Sequence, residues 1–409
     1  MIRHGCRVAT VVGKVADTYD SGMAVRSKRG DVRRDAAAPA SGGPPDIPDP
    51  PGTVTPPDPT PPTGRPWSPP PLLGFALVLL LTVMVVGAAF KLREPLTVVR
   101  VASSLPYLED PEVRRILRDE GLKVNQTGFG TRQAAQYVDL STYDLVVSGS
   151  AVQARLVEKQ LTPDVAKRRW FSSPMVVVTR PPIVKLLERV GIAEPAAGGG
   201  WQFSVAAYLR EVESGRRWKE IVGDDGAPLR GQDGDAAYPS PIRMLVSTTD
   251  PDLSNSAAMF VAILSFHIND QNVVTEESVK GVLPRLKKCF VAQGNMAPRT
   301  ADLMESFLDG GLPMALVYEN DYLAARRKSV SAKSIIAMYP TSNVMSENTF
   351  TIRSEAGKRL SDLLFNDRRL QKLAQDWGYR AGATAANPAA TIPMPTTAVL
   401  EKLIDGVGP

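Results

Sequence analysis

At 409 residues with 43% hydrophobic content, the chain has apolar material for a large buried core and for two or three compact units. The formal charge of +5 is a small excess: beyond residue 70 there remain 39 Lys/Arg against 36 Asp/Glu, with no dense basic stripe to neutralise a row of phosphates, which argues against a nucleic-acid partner. Cys6, Cys289, His4 and His267 cannot be written as a zinc site of ordinary spacing, and His267, inside the apolar run Ala257 to Ile268, reads as a packed residue rather than a catalytic base.

Residues 1–71 read as a disordered tail, first basic (Arg26, Lys28, Arg29, Arg33, Arg34) and then Pro-rich, with fifteen prolines between Pro39 and Pro71. Such a composition gives extended, solvated polyproline character and no core, and it is expected to act as a spacer. Met23 offers a second start within it. Leu72 to Phe90 is nineteen residues without a charge, long enough at about 1.5 Å per residue to cross a bilayer's hydrocarbon core as one transmembrane helix. No small-residue cleavage site or lipid-anchor cysteine follows it, so the expectation is an uncleaved anchor. The basic tail favours a cytoplasmic N-terminus, whereas Lys91 and Arg93 outweigh Arg65 close to the membrane. The character of the C-terminal region decides for an N-terminus inside and an extracellular domain, which would keep Cys6 and Cys289 apart.

From Leu96 onward strand and helix signals alternate. Strands are expected at Leu96 to Ala102, Leu122 to Thr127, Tyr143 to Val147 and Pro174 to Thr179. Helices are expected from the Asp110-Pro111 start to Gly121, over Arg132 to Val138, and over Ala151 to Lys159. This alternation predicts an α/β domain with a parallel, doubly wound sheet. Further on, helices are expected over Pro181 to Arg189, Gln202 to Val212, Ala257 to Ile268, Glu276 to Val291 and Ala301 to Leu308. Strands are expected over Arg243 to Thr248, Pro313 to Glu319 and Ser334 to Tyr339, and helices over Glu355 to Phe365, Arg368 to Trp377 and Thr397 to Ile404.

In open α/β sheets ligands collect beyond the carboxyl ends of strands, beside helix N-termini. Here those places are rich in small hydroxyl residues: Ser103 and Ser104; Thr131 with Arg132; Ser148 and Ser150; and Thr248, Thr249, Ser254, Asn255 and Ser256. Hydroxyls and free backbone N–H groups together form a neutral cage for an oxyanion or another polar group, although each Ser or Thr would also serve as an ordinary N-cap. Tyr318 and Glu319 end another strand and offer a hydroxyl and a carboxylate. Asp250 and Asp252 are two carboxylates without the further oxygen ligands a divalent metal needs, and they read as turn residues. No cofactor is expected.

Ala102-Ser103-Ser104, the run Glu109 to Val113 and Gly121 to Val124 together resemble the opening of bacterial extracellular solute-binding proteins with the type-two periplasmic binding fold. Gly130-Thr131-Arg132 is similar to that family's Gly-Ser-Arg turn, and Ser247 to Pro251, Ser254 to Ser256 and Val317 to Glu319 resemble its later motifs. Thr131 stands in place of Ser, and Ala257 where many relatives have Gly. The resemblance spans Leu96 to Gly406 and implies two lobes joined by a hinge, with lobe 1 formed by 96–179 plus 334–406 and lobe 2 by 180–333. It implies a non-enzymatic binder that clamps a small polar solute in the interlobe cleft and passes it to a membrane transporter. The alternative is a sensor or partner-binding module of the same fold that contacts another membrane protein. A hydrolase or transferase lacks a usable histidine or thiol.

Overall fold

The computed structural model describes residue 82 and residues 95–408, except 104, 162–164, 224, 231–237 and 382–389. The tail, the apolar run 72–90 apart from Thr82, and Ser104 therefore lie outside the described residues. Among the described residues no helix is long and apolar enough to cross a membrane.

The domain begins with β1 (Thr97–Ala102), α1 (Pro111–Asp119), β2 (Leu122–Thr127), α2 (Thr131–Tyr137), β3 (Leu145–Ser148) and α3 (Ala151–Gln160). Local chemistry accounts for these limits. The Asp110 carboxylate accepts hydrogen bonds from the backbone N–H of Glu112 and Val113, at 2.8 and 3.2 Å, capping α1 ahead of Pro111. Its second oxygen accepts from Trp377 Nε1 at 2.9 Å, which ties the cap to the far end of the chain. Strands β2, β1 and β3 pair in parallel, as the alternation predicts.

Next comes β4 (Ala166–Thr179), fourteen residues long, of which the sequence shows only the apolar second half. Its first half carries Lys167, Arg168 and Arg169, which pair with Glu158, Asp362 and Glu347. It is followed by α4 (Pro181–Arg189), β5 (Ala193–Pro195), β6 (Trp201–Phe203) and α5 (Val205–Ser214). The helix expected from Gln202 thus begins later: Trp201–Phe203 pairs with a strand, and Ser204 caps α5 through Ala207 N–H. Residues Arg243 to Thr248 form no regular strand. Arg243 bridges to Arg217 and Ser247 to Ala315.

The chain continues through α6 (Asn255–Ile268), α7 (Val279–Lys287), α8 (Thr300–Leu308), β7 (Met314–Tyr318), α9 (Glu319–Lys328), β8 (Ile336–Pro340), β9 (Ser342–Asn343), β10 (Met345–Ile352), α10 (Glu355–Asn366), α11 (Arg368–Asp376), β11 (Arg380–Ala381), β12 (Ala390–Thr391) and α12 (Thr397–Val407). β10 lies between β3 and β4 and is antiparallel to both. The first half of β4 pairs with β10 and β11, and its second half with β7 and β8, all antiparallel. The sheet is therefore mixed rather than purely parallel. The sequence conceals β10 because Ser346, Glu347 and Asn348 interrupt its apolar pattern and a bulge separates Glu347 from Thr349.

Two main cores flank this arrangement. Val99, Val101, Tyr107, Leu117, Phe350 and Leu360 pack around β1, β3 and the first half of β4. The larger core gathers α4, α5, α6 and α7 on one face of the second half of β4, while Val176 and Val178 on its other face meet Leu303, Phe307 and Val317. Burial on both faces explains the unbroken run Met175 to Val178. β8 and α12, both beyond residue 333, join this second part: β8 pairs with the second half of β4, and Leu400, Leu403 and Ile404 enter the larger core.

A close approach holds α10 to β3. A Cβ added at Gly357 would collide with the Asp144 carbonyl oxygen, whereas one at Gly281, exposed on α7, meets nothing within 4 Å. Gly357→Ala is expected to destabilise the domain by about 1–3 kcal/mol. Gly281→Ala should stabilise it by roughly 0.5–1 kcal/mol through helix propensity. Chemical denaturation of the two variants checks both signs.

Candidate functional site

The loops that follow β1, β2 and β3 meet the loops that precede α6 and α8 and the junction of β7 with α9 around a cavity partly open to solvent. Both main cores contribute to its walls. Ser103, Thr131, Ser254 and Tyr318 of the expected set line it. Gly130 sets how closely the two parts approach: an added Cβ would meet the carbonyl oxygens of Leu253 and, at 2.8 Å, Pro298. Gln133 N–H also donates to Leu253 O at 3.1 Å, so the start of α2 is fastened directly to the loop before α6.

At the start of α6 the hydroxyls of Thr249, Ser256 and Ser254 form a chain with spacings of 2.7 and 2.9 Å. Ser254 occupies the N-cap position without capping through its side chain, which leaves its hydroxyl facing the cavity. Asn255 accepts from Ser150 Oγ at 2.7 Å and donates to Tyr318 Oη at 3.0 Å. Burial pushes the Tyr318 phenol well above its usual range, so it stays neutral and keeps its own proton to donate. Thr249, Ser256, Asn255 and Ser150 thus stand behind the wall and orient the groups that form it. Ser150 also caps α3 by accepting from Gln153 N–H. Ser148 and Thr248 are buried away from the cavity, and their hydroxyls have no hydrogen-bond partner among the described residues.

Two charged residues of the expected set do not face the cavity. Arg132 is 2% exposed and makes a two-pronged pair with Glu401 of α12 at 2.7 and 2.6 Å. Glu319 takes two bonds of 2.8 Å from Arg380 Nη2 and one from the Tyr339 hydroxyl. Each carboxylate is held by its guanidinium, although Arg132 Nε has no hydrogen-bond partner among the described residues, so both pairs fasten elements together instead of offering charge to a solute.

The structure adds lining residues that the strand-end pattern does not indicate: Arg299, Thr300, Asn320, Asp321, Ser346, Asn348 and Tyr379. Asn320 and Asp321 follow Tyr318-Glu319 directly, so the polar run after β7 was the available signal, two residues longer than expected. Ser346 and Asn348 alternate along β10, the strand their polarity hides. Asp321 is 8% exposed; one oxygen accepts from Asn320 Nδ2 at 2.9 Å, and the other has no hydrogen-bond partner among the described residues. Loss of solvation raises its pKa to about 6, although the Thr300 and Asn320 side chains and the Tyr318 backbone offset part of the effect. Arg299, the cation on the wall, is bound to Asp302 at 2.8 Å.

No family model matches the chain, and no curated protein matches it. Among solved structures it is similar to the sulfate-binding protein SubI from Mycobacterium tuberculosis H37Rv, with 16% identity, 76% of this chain and 96% of that one covered, and a TM-score of 0.48. It is similar also to iron-bound HitA from Pseudomonas aeruginosa, with 11% identity, 77% and 97% covered and a TM-score of 0.47. A third is apo ferric ion-binding protein A from Pasteurella haemolytica, with 15% identity, 76% and 94% covered and a TM-score of 0.42.

Two outcomes follow from the site's electrostatics. A carboxyl whose pKa rises on folding binds its proton more tightly in the native state, so Asp321 costs stability as pH climbs from its unfolded value near 3.8 through about 6. Asp321→Asn should therefore raise stability at pH 7.5 by up to about 3 kcal/mol, seen as a higher melting temperature, and leave it nearly unchanged at pH 4. Arg132→Ala should cost roughly 1–3 kcal/mol by stranding Glu401, without altering any solute response, as thermal unfolding with and without solute would show.

Proposed function

We propose that this chain binds a small polar solute in the cavity between its two parts. The parts act as lobes that close on the solute across the strands joining them. The observation that carries this reading is the convergence of Ser103, Thr131, Ser254, Tyr318 and Asp321, from four separate segments of the chain, on one cavity partly open to solvent. Folding alone does not require a buried carboxylate with an unused oxygen there, and a satisfied core would have avoided it. The hydroxyls form a neutral cage suited to the oxygen atoms of a carboxylate or oxyanion. Among the described residues no histidine borders the cavity; His267, half-buried on α6 with its pKa lowered by burial, lies elsewhere.

The apolar run 72–90 supports an uncleaved membrane anchor, with the tail inside the cell and the domain outside. In that setting the partner is a membrane transporter that receives the solute. The test is thermal unfolding of the full chain against oxyanions, carboxylates, amino acids and sugars. A saturable rise in melting temperature is expected for one class, worth about 2.7 kcal/mol at a hundredfold excess over Kd. Replacing Ser103, Thr131 and Ser254 together by alanine should abolish that rise while leaving the circular dichroism spectrum unchanged. A response that survives the triple replacement would place the solute elsewhere; no response to any class would turn the reading toward a partner-binding module.

A further inference from the structure

The cavity wall is not electrically balanced. Arg299 is committed to Asp302, and the remaining described lining residues other than Asp321 are uncharged, so the wall carries the single unmatched charge of Asp321. One Asp321 oxygen is held by Asn320 Nδ2, while the other is buried with no hydrogen-bond partner among the described residues, and Asp321 itself lines the cavity at 8% exposure. A carboxylate taken out of water is stabilised when a cation or a strong donor meets it, and a second anion placed beside it is repelled. A dianion such as sulfate would enter with no uncommitted cation on the wall to receive it.

The same cavity also carries hydroxyl residues. Ser254 and Thr131 present hydroxyls, and α6, fourteen residues long, directs its N-terminus toward the loop that carries Ser254. The lining thus combines a carboxylate that accepts donors with hydroxyls that can donate to oxygens. Building on the proposed solute-binding role, we infer that the solute is a small zwitterion, whose ammonium group sits on Asp321 and whose carboxylate meets the hydroxyls at the start of α6. The three ammonium protons supply what the free Asp321 oxygen lacks, and the neutral Tyr318 hydroxyl stands on the same wall as a further polar contact.

Calorimetric titration of the full chain with the standard amino acids, singly, with their deaminated carboxylate analogues, and with sulfate and phosphate tests the inference. At least one amino acid should bind saturably, with its deaminated analogue weaker by about a hundredfold. The near-isosteric Asp321→Asn variant should lose about tenfold or more for the amino acid, while Arg132→Ala, outside the cavity, keeps the wild-type affinity. The comparison with the deaminated analogue uses the unaltered protein, so it stands if a variant folds poorly. Sulfate, phosphate or a simple carboxylate binding equally well to the parent and to Asp321→Asn would overturn the zwitterion and leave the solute-binding role standing. Binding of none of the probes by folded protein would overturn both.

Discussion

The antiparallel pairing of β4 with four strands is the constraint on which the rest of the domain depends. Fourteen residues at about 3.3 Å each make a strand of roughly 45 Å, long enough to serve two sheets in succession. Its first half is hydrogen-bonded to β10 and β11 and its second to β7 and β8, so neither part can form its sheet without it. The change of partners falls near Ser172 to Met175. Ser173 Oγ there accepts the backbone N–H of Asn320 at 3.1 Å, which sets the first turn of α9 beside the cavity. Strand pairing and site assembly meet at the same few residues.

Charge is used in two different ways around this seam. Arg132 with Glu401, and Glu319 with Arg380, are closed pairs whose hydrogen bonds are largely spent within the protein, and each joins elements far apart in sequence. Such pairs hold orientation more than they add net stability, because burying both charges costs nearly what their attraction returns. Asp321 is the contrasting case. Its second oxygen is buried without a hydrogen-bond partner among the described residues, and burial raises its pKa to about 6, with the charge of Lys328 among the opposing effects. A fold selected for stability alone would have replaced it.

Hydroxyl groups do the remaining organisation. Thr249, Ser256 and Ser254 pass hydrogen bonds along the start of α6, and Asn255 links Ser150 to Tyr318 across the two parts of the domain. Groups behind the wall therefore fix the orientation of groups on it, so the polar face needs little rearrangement to meet a solute. Gly130 completes the arrangement by allowing the backbone of α2 to come against the carbonyls of Leu253 and Pro298, where any side chain would hold the parts apart.

Local signals determined much of this protein. The Asp110-Pro111 cap, the β-branched run of β1, the limits of β2 and the start of α3 at Ser150 are legible because each rests on neighbours in sequence. The hydroxyl-rich strand ends also marked four wall residues, Ser103, Thr131, Ser254 and Tyr318, before any packing was known. Tertiary structure alone decided the rest. The first half of β4 is charged and β10 is polar, so their place at the centre of the sheet follows from partners more than a hundred residues away. The fates of Arg132, Glu319 and Asp321 are equally invisible locally: three charged residues at loop ends look alike until the fold supplies counter-ions to two and withholds one from the third. Periodicity and capping are properties of a short stretch of chain, whereas a charge acquires its role from whatever distant segment is brought within about 3 Å of it.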